Sequence, residues 1–134
     1  MTRTGLNATT AQDAVELIIS GGADVRLFNT GLNYDDVGAD LDTKEVDNAD
    51  YTAVNVAEAD WNLTVDTANQ ELTLTNANEV SFGTASSDWG VVVDAAIHNP
   101  GTDQFIIADE VNDPDITGGE DVSFPSGEIS YVLG

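Results

Sequence analysis

The sequence predicts a mainly β protein: an antiparallel β-sandwich of jelly-roll-like kind, with one N-terminal α-helix ahead of it. Three observations predict it. From residue 51 onward apolar residues recur at every second position, the period of a half-buried strand. Short apolar runs alternate with clusters of Gly, Asn, Asp, Ser and Pro, the spacing of sandwiches and barrels rather than of parallel sheets with crossover helices. Only one segment, near the start, has the helical period. The chain of 134 residues has no linker-like stretch and no internal repeat, so residues 1–134 are read as a single domain.

The helix comes first. "TTAQDAVELIISGGA" predicts a helix over about 10–21. Thr9 or Thr10 supplies a capping oxygen, and Asp13 and Glu16 lie where the helix dipole favours acids. Ala14, Leu17 and Ile18 share a helical spacing, and Gly21 and Gly22 end the element. "DVRLFN" then predicts a strand with Val25 and Leu27 on one face. Residues 30–50 carry Asp at 35, 36, 40, 42, 47 and 50 and read as one long acidic loop, the kind that serves function or an interface.

The strands follow from 51 on. "YTAVNVA" places Val54 and Val56 on one face. "WNLTVDTANQELTLTN" predicts a hairpin: Trp61, Leu63 and Val65 share one face of its first strand, Leu72 and Leu74 a face of its second, and "DTANQ" supplies the turn residues. "EVSF" and "GVVVDAAI" predict two more strands, and "QFIIADEV" with "DITGGEDVSF" a second hairpin-like pair. "GEISYVLG" closes the chain, with Ile129, Tyr131 and Leu133 in alternation. The expectation is one helix and about eight strands.

Charge is the outlying property. There are 25 acidic residues, 17 Asp and 8 Glu, against Arg3, Arg26 and Lys44, a net charge of -22. Hydrophobic residues make up 41 %, too many for a chain that stays disordered. Life in concentrated salt accounts for both facts: at about 1 M salt the Debye length is roughly 3 Å and an acidic surface no longer repels itself. The fold should therefore weaken in dilute buffer. Three scattered bases cannot replace the counterions of a nucleic acid, and an anionic membrane would repel the chain. There is no cysteine, so disulfides and thiolate metal sites are excluded. "MTRTGLNATTAQ" lacks the apolar run of a secretory signal, and the protein is expected to act without secretion.

Chemical motifs are few. His98 is the only histidine; it has neither the partners of a zinc site nor a nucleophile elbow, and no cofactor or catalytic residue is expected. Asp40, Asp42 and Asp47 sit in an oxygen-rich run that lacks the spacing and central glycine of a calcium loop, so they are weak cation candidates. Trp89 and Gly90 suit a structural corner: an aromatic cover over one end of a core and a glycine that allows close backbone approach. Leu17 and Ile18 are candidate subunit contacts.

Three stretches, "EVDNADYTAV", "NEVSFGTASSDWGVVVDAAIHNPGTDQF" and "ITGGEDVSFPSGEISYVLG", occur in an order that resembles small virion proteins of tailed viruses, the tail-fibre-like or head-decoration proteins. The resemblance rests on the strand Leu27-Phe28, on Glu45 and Tyr51 as a Glu-x-x-x-x-x-Tyr element, on Phe82 leading to Trp89-Gly90, and on a Phe-x-x-Gly hairpin from Gly119 to Gly127 that contains Phe124. A final alternating strand carries Tyr131. An arginine usual after the tyrosine is replaced by Thr52 and Ala53. The resemblance implies no catalytic residues. It implies a structural virion protein, here of a haloarchaeal tailed virus, such as a capsid decoration or turret protein. The expected assembly is a homotrimer or homopentamer in contact with the major capsid protein or other virion proteins, put together in the host cytoplasm. The alternative is a tail-fibre or receptor-binding module that recognises host glycans through Tyr34 or Tyr51.

Overall fold

The computed structural model describes residues 7–108 and 114–133. Helix α1 (Ala8–Ile19) leads into strand β1 (Ala23–Phe28). Helix α2 (Gly38–Lys44) comes next, then β2 (Val54–Val56), a 3-10 turn at Glu58–Asp60, β3 (Trp61–Asp66), β4 (Glu71–Asn76) and β5 (Val80–Thr84). The rest is β6 (Gly90–Val91), β7 (Asp94–Asn99), β8 (Gln104–Ile107), β9 (Asp115–Ile116), β10 (Asp121–Phe124) and β11 (Ser130–Leu133). All strand pairs are antiparallel. One sheet runs β2-β1-β7-β8 and a second β11-β4-β3; β10-β5 and β6-β9 form two short ribbons. The molecule is mainly β, antiparallel and sandwich-like, with an N-terminal helix, as the sequence predicts.

Helix α1 starts two residues earlier than expected because Asn7, not Thr9 or Thr10, caps it: its side chain accepts from the Thr10 N–H at 2.8 Å. Its inner face is Ala11, Val15, Ile18 and Ile19. Ala14 lies outside, and Leu17 is 58 % exposed. Ile18, at 7 %, is a core residue and is not available to a neighbouring subunit. Two glycines with positive φ, Gly21 and Gly22, turn the chain into β1. The helix touches β3 and β4 on one side and β7 and β8 on the other, so it closes both larger sheets over one core.

The main core holds Val25, Leu27, Trp61, Leu72, Leu74, Ala95, Ile97, Phe124 and Ile129 together with the inner face of α1. The expected β3–β4 hairpin forms, in a register that sets Leu63 opposite Leu74 and Val65 opposite Leu72. Its turn is fastened by the Asp66 carboxylate, which accepts from the N–H groups of Ala68 and Asn69.

Four expectations are revised. Residues 30–50 are not one loop: Gly38–Lys44 is helical, and Leu41 from it is fully buried with Phe28 and Ala96 in a second, smaller cluster on the outer face of β1 and β7. Those two strands are covered on both faces, so nearly every residue of them is buried, the polar Arg26, His98 and Asn99 included. "GVVVDAAI" is two strands, β6 and β7, because Val92 and Val93 turn away to bond Pro114 and Phe28. "QFIIADEV" does not pair with "DITGGEDVSF": β8 pairs with β7, β9 with β6 and β10 with β5, while residues 109–111 of the first stretch lie outside the described residues. The Phe124–Gly127 segment is likewise not a hairpin turn. It carries the chain from β10, paired with β5, to β11, paired with β4.

Two buried asparagines hold these crossings. The Asn76 amide donates to the carbonyls of Asn78, Phe124 and Pro125, and its oxygen accepts from the N–H groups of Gly127 and Ile129 at 3.1 and 3.0 Å. Asn99 donates to the carbonyls of Leu17, Ile18 and Ser20, closing the C-terminus of α1 from another element, and accepts from Gly101 and Thr102. Each amide satisfies backbone groups where regular pairing stops, the buried ones of Ile18, Phe124 and Ile129 among them.

Candidate functional site

The chemistry-bearing side chains converge on the outer face of β1 and β7 and on the 29–51 segment that crosses it. Arg26 leaves β1 on this face because Val25 and Leu27, its neighbours, point into the main core. Its guanidinium grips Glu45 with two bonds, Nε to Oε2 at 3.1 Å and Nη2 to Oε1 at 2.7 Å, and reaches Asp42 at 2.8 Å. Burial opposes the arginine charge, but the hydrogen bonds to Glu45 and Asp42 outweigh it and hold its ionisation above the ordinary value. The Tyr51 hydroxyl donates to Glu45 Oε2 at 2.7 Å and accepts from the Leu27 N–H at 2.9 Å. Burial, with the carboxylate beside it, pushes the Tyr51 phenol well above the ordinary tyrosine range.

Further out, Lys44 pairs with Asp36 at 2.6 Å. Backbone bonding at Asn33 and the Lys44 ammonium hold the Asp36 carboxyl below the usual range. Asp50 accepts from the Ser86 N–H and from the Trp89 indole at 3.0 Å, and its carboxyl is held low by Ser86 first and Trp89 after it.

Tyr51 also begins an aromatic row. It stacks on Phe82 at 6.0 Å and meets Trp89 edge-on at 5.3 Å; Phe82 in turn meets Phe124 edge-on at 5.9 Å. Phe82, Trp89 and Phe124, far apart in sequence, are thus one packed series on the Tyr51 side of the core. Gly90 (φ +81°) and Gly127 (φ +85°) take backbone conformations that other residues resist, and Tyr131 packs half-buried against the main core.

Asp40, Asp42 and Asp47 do not meet. Asp40 caps α2 by accepting from the Val37 N–H at 2.8 Å, Asp42 serves Arg26, and Asp47 stands exposed. Among the described residues no group of three or more acids and histidines is placed to hold a metal ion. His98, the penultimate residue of β7, is buried and bonds Asp103 through Nε2 at 2.7 Å. Both described lysine and arginine side chains, Arg26 and Lys44, are tied into ion pairs, and the exposed large apolar side chains among the described residues are Leu17, Tyr34, Val37, Val91 and Val132. Tyr34 is fully exposed; Tyr51 is half-buried, packed against the main core.

Sequence reasoning missed Arg26, Asn76 and Asn99. Arg26 left a trace, one of three cations placed inside an apolar strand. The asparagines left none, because their partners are carbonyls of distant segments.

No family model matches this chain, and no curated protein or solved structure is similar enough to it to count as a match.

Proposed function

We propose that this chain is a structural virion protein of a haloarchaeal tailed virus, a capsid decoration or turret protein that forms a trimer or pentamer on the particle surface. The observation that supports it is the division of charge. Among the described residues Arg26 and Lys44 are taken up by Glu45, Asp42 and Asp36, so in a chain of net charge -22 the other exposed carboxylates have no lysine or arginine partner and surround a few exposed apolar side chains. Such a surface stays dispersed in brine, and exposed apolar side chains such as Leu17, Tyr34 and Val37 serve contact with other subunits or with the shell. In this reading the protein works by packing, without catalysis or cofactor; its partners are itself, the major capsid protein or other virion proteins, and neither nucleic acid nor membrane. It is assembled in the host cytoplasm and resides in the virion.

Light scattering in about 3 M salt, where charge repulsion is screened, together with co-sedimentation with virus particles, tests the reading. A trimer or pentamer that sediments with particles is expected. A monomer that also fails to sediment with them overturns it.

One observation favours a second reading. Tyr34 stands fully exposed beside the exposed acid Asp35, the arrangement of an aromatic platform for a sugar. A receptor-binding module would lose glycan affinity on Tyr34→Ala; Tyr51, being packed and bonded to Glu45, has no part in it.

A further inference from the structure

His98 Nδ1 is the one buried side-chain nitrogen or oxygen among the described residues without a hydrogen-bond partner. The residue is 6 % exposed, and its other ring nitrogen, Nε2, lies 2.7 Å from Asp103 Oδ1. A carboxylate accepts, so Nε2 holds a proton, and in the neutral ring Nδ1 is then a bare lone pair in a dry place. A buried polar atom left this way is destabilising, and a proton on Nδ1 turns the neutral bond to Asp103 into an ion pair.

Asp103 carries the ring's hold across to α2. In the turn after β7 its N–H donates to the Asn99 carbonyl at 2.8 Å, and the Asn99 side-chain oxygen accepts from Gly101 and Thr102. The Asp103 backbone has φ +60°, a left-handed conformation uncommon outside glycine. The carboxylate so placed rests against Gly38, the first residue of α2, closely enough that a Cβ there would overlap it. Contact thus runs from β7 through Asp103 to the helix whose Leu41 covers Phe28 and Ala96.

Carboxylates flank the ring. Asp24 stands opposite His98 on β1, and Asp103 bonds it from the turn; opposite it on β8 is the uncharged Phe105. Arg26, two residues on from Asp24, is taken up by Glu45 and Asp42. On α2, Asp40 serves the Val37 N–H and Lys44 is paired with Asp36. Burial works against a charged ring, and the two carboxylates work for it.

We propose that His98, Asp103 and Gly38 form a pH-sensitive latch that grips α2 more firmly when the imidazole is protonated. Acid supplies the proton, so the grip strengthens as pH falls through the range in which histidines titrate, about pH 8 to 5, and slackens as pH rises. The latch belongs to the single chain and depends on no assembly.

Amide protection, corrected for the intrinsic pH dependence of exchange, tests it on the whole chain in about 3 M salt, at about pH 8 and about pH 5.5, where carboxylates remain ionised. The β3–β4 hairpin is the internal reference. Protection over Gly38–Lys44 is expected to rise about fivefold to tenfold in acid relative to the hairpin, the difference between a neutral and a charge-assisted bond. NMR of the imidazole nitrogens is expected to show protons on both at the lower pH. His98→Gln keeps a donor for Asp103 but does not titrate. Asp103→Asn removes the charge and keeps the turn, since asparagine tolerates the left-handed conformation. Circular dichroism establishes which variants fold, and the acid step is expected to vanish in each that does. A wild-type α2 whose protection is unchanged or falls in acid overturns the latch, as does a ring that stays neutral at the lower pH. A step of full size in either folded variant overturns it too.

Discussion

Tyr51 donates its hydroxyl proton to the carboxylate of Glu45 at 2.7 Å, and that same carboxylate grips Arg26. The Glu-x-x-x-x-x-Tyr spacing thereby acquires a physical reason. Six residues carry the chain from the end of α2 around the sheet edge and bring the phenol back beneath the carboxylate. Tyr51→Phe leaves the Leu27 N–H and Glu45 each short of a partner at a half-buried site. A loss of about 1–3 kcal/mol in unfolding free energy is expected by denaturant titration. The pH dependence has a definite sign. The folded state raises the phenol above its ordinary pKa of about 10, so the contribution is complete below pH ~10 and declines as pH rises beyond it. Alkaline melting curves of the wild type and Tyr51→Phe should converge there.

Arg26→Ala is expected to cost more, about 3–5 kcal/mol, because it strands Glu45 inside the fold without its counter-charge. The outer cluster of Phe28, Leu41 and Ala96 should loosen first, read as faster amide exchange over Gly38–Lys44 than over the β3–β4 hairpin. Uniform exchange across both would show that α2 does not depend on the pair.

Asn76→Leu keeps the volume and removes every bond the amide makes. The Phe124 carbonyl and the Ile129 N–H lose a buried bond, the carbonyls of Asn78 and Pro125 lose one at the edge of the site, and the Gly127 N–H keeps the Asn76 carbonyl, so a loss of about 2–3 kcal/mol is expected, large for one substitution. A melting temperature within a degree or two of the wild type would mean that the Phe124–Gly127 crossing is held by its apolar neighbours alone.

Leu17 and Ile18 are neighbours with opposite expected outcomes. Ile18→Ala opens the core and should cost about 2–5 kcal/mol. Leu17→Asp, on the exposed face, should change stability by no more than about 0.5 kcal/mol. If α1 meets a subunit or the shell, that variant should lose the oligomer or its sedimentation with particles while staying folded.

Salt and acid act on different groups. The melting temperature should rise steadily from about 0.1 to 3 M salt as the charge of -22 is screened; a flat response would remove the halophilic premise. At high salt the general repulsion is gone and specific carboxylates dominate. Asp36, Asp50 and Asp66 all have folded-state pKa values below the ordinary one. Their contribution is present above pH ~4 and is lost as pH falls through that value toward the folded pKa. Asp50→Asn should flatten this acid limb and shift the emission of Trp89, whose indole it holds.

The sequence by itself determined the class of the protein. The period-two pattern after residue 51, the single amphipathic segment before it and the turn residues of "DTANQ" fix a helix followed by antiparallel strands, because each signal is local and acts through backbone geometry. Charge, too, was legible, as a property of composition. Only the tertiary structure decided which strands pair, that Gly38–Lys44 is helical, and that Ile18 faces inward while Leu17 does not. Those outcomes depend on what covers each face. On the outer side of β1 and β7, Phe28 and Ala96 are buried because Leu41 of α2 lies over them, and α2 is held there by Glu45, Asp42 and Arg26 acting across 16 to 19 residues of sequence. The same reason hides Asn76 and Asn99: a polar residue reads as surface until the fold places unpaired carbonyls around it.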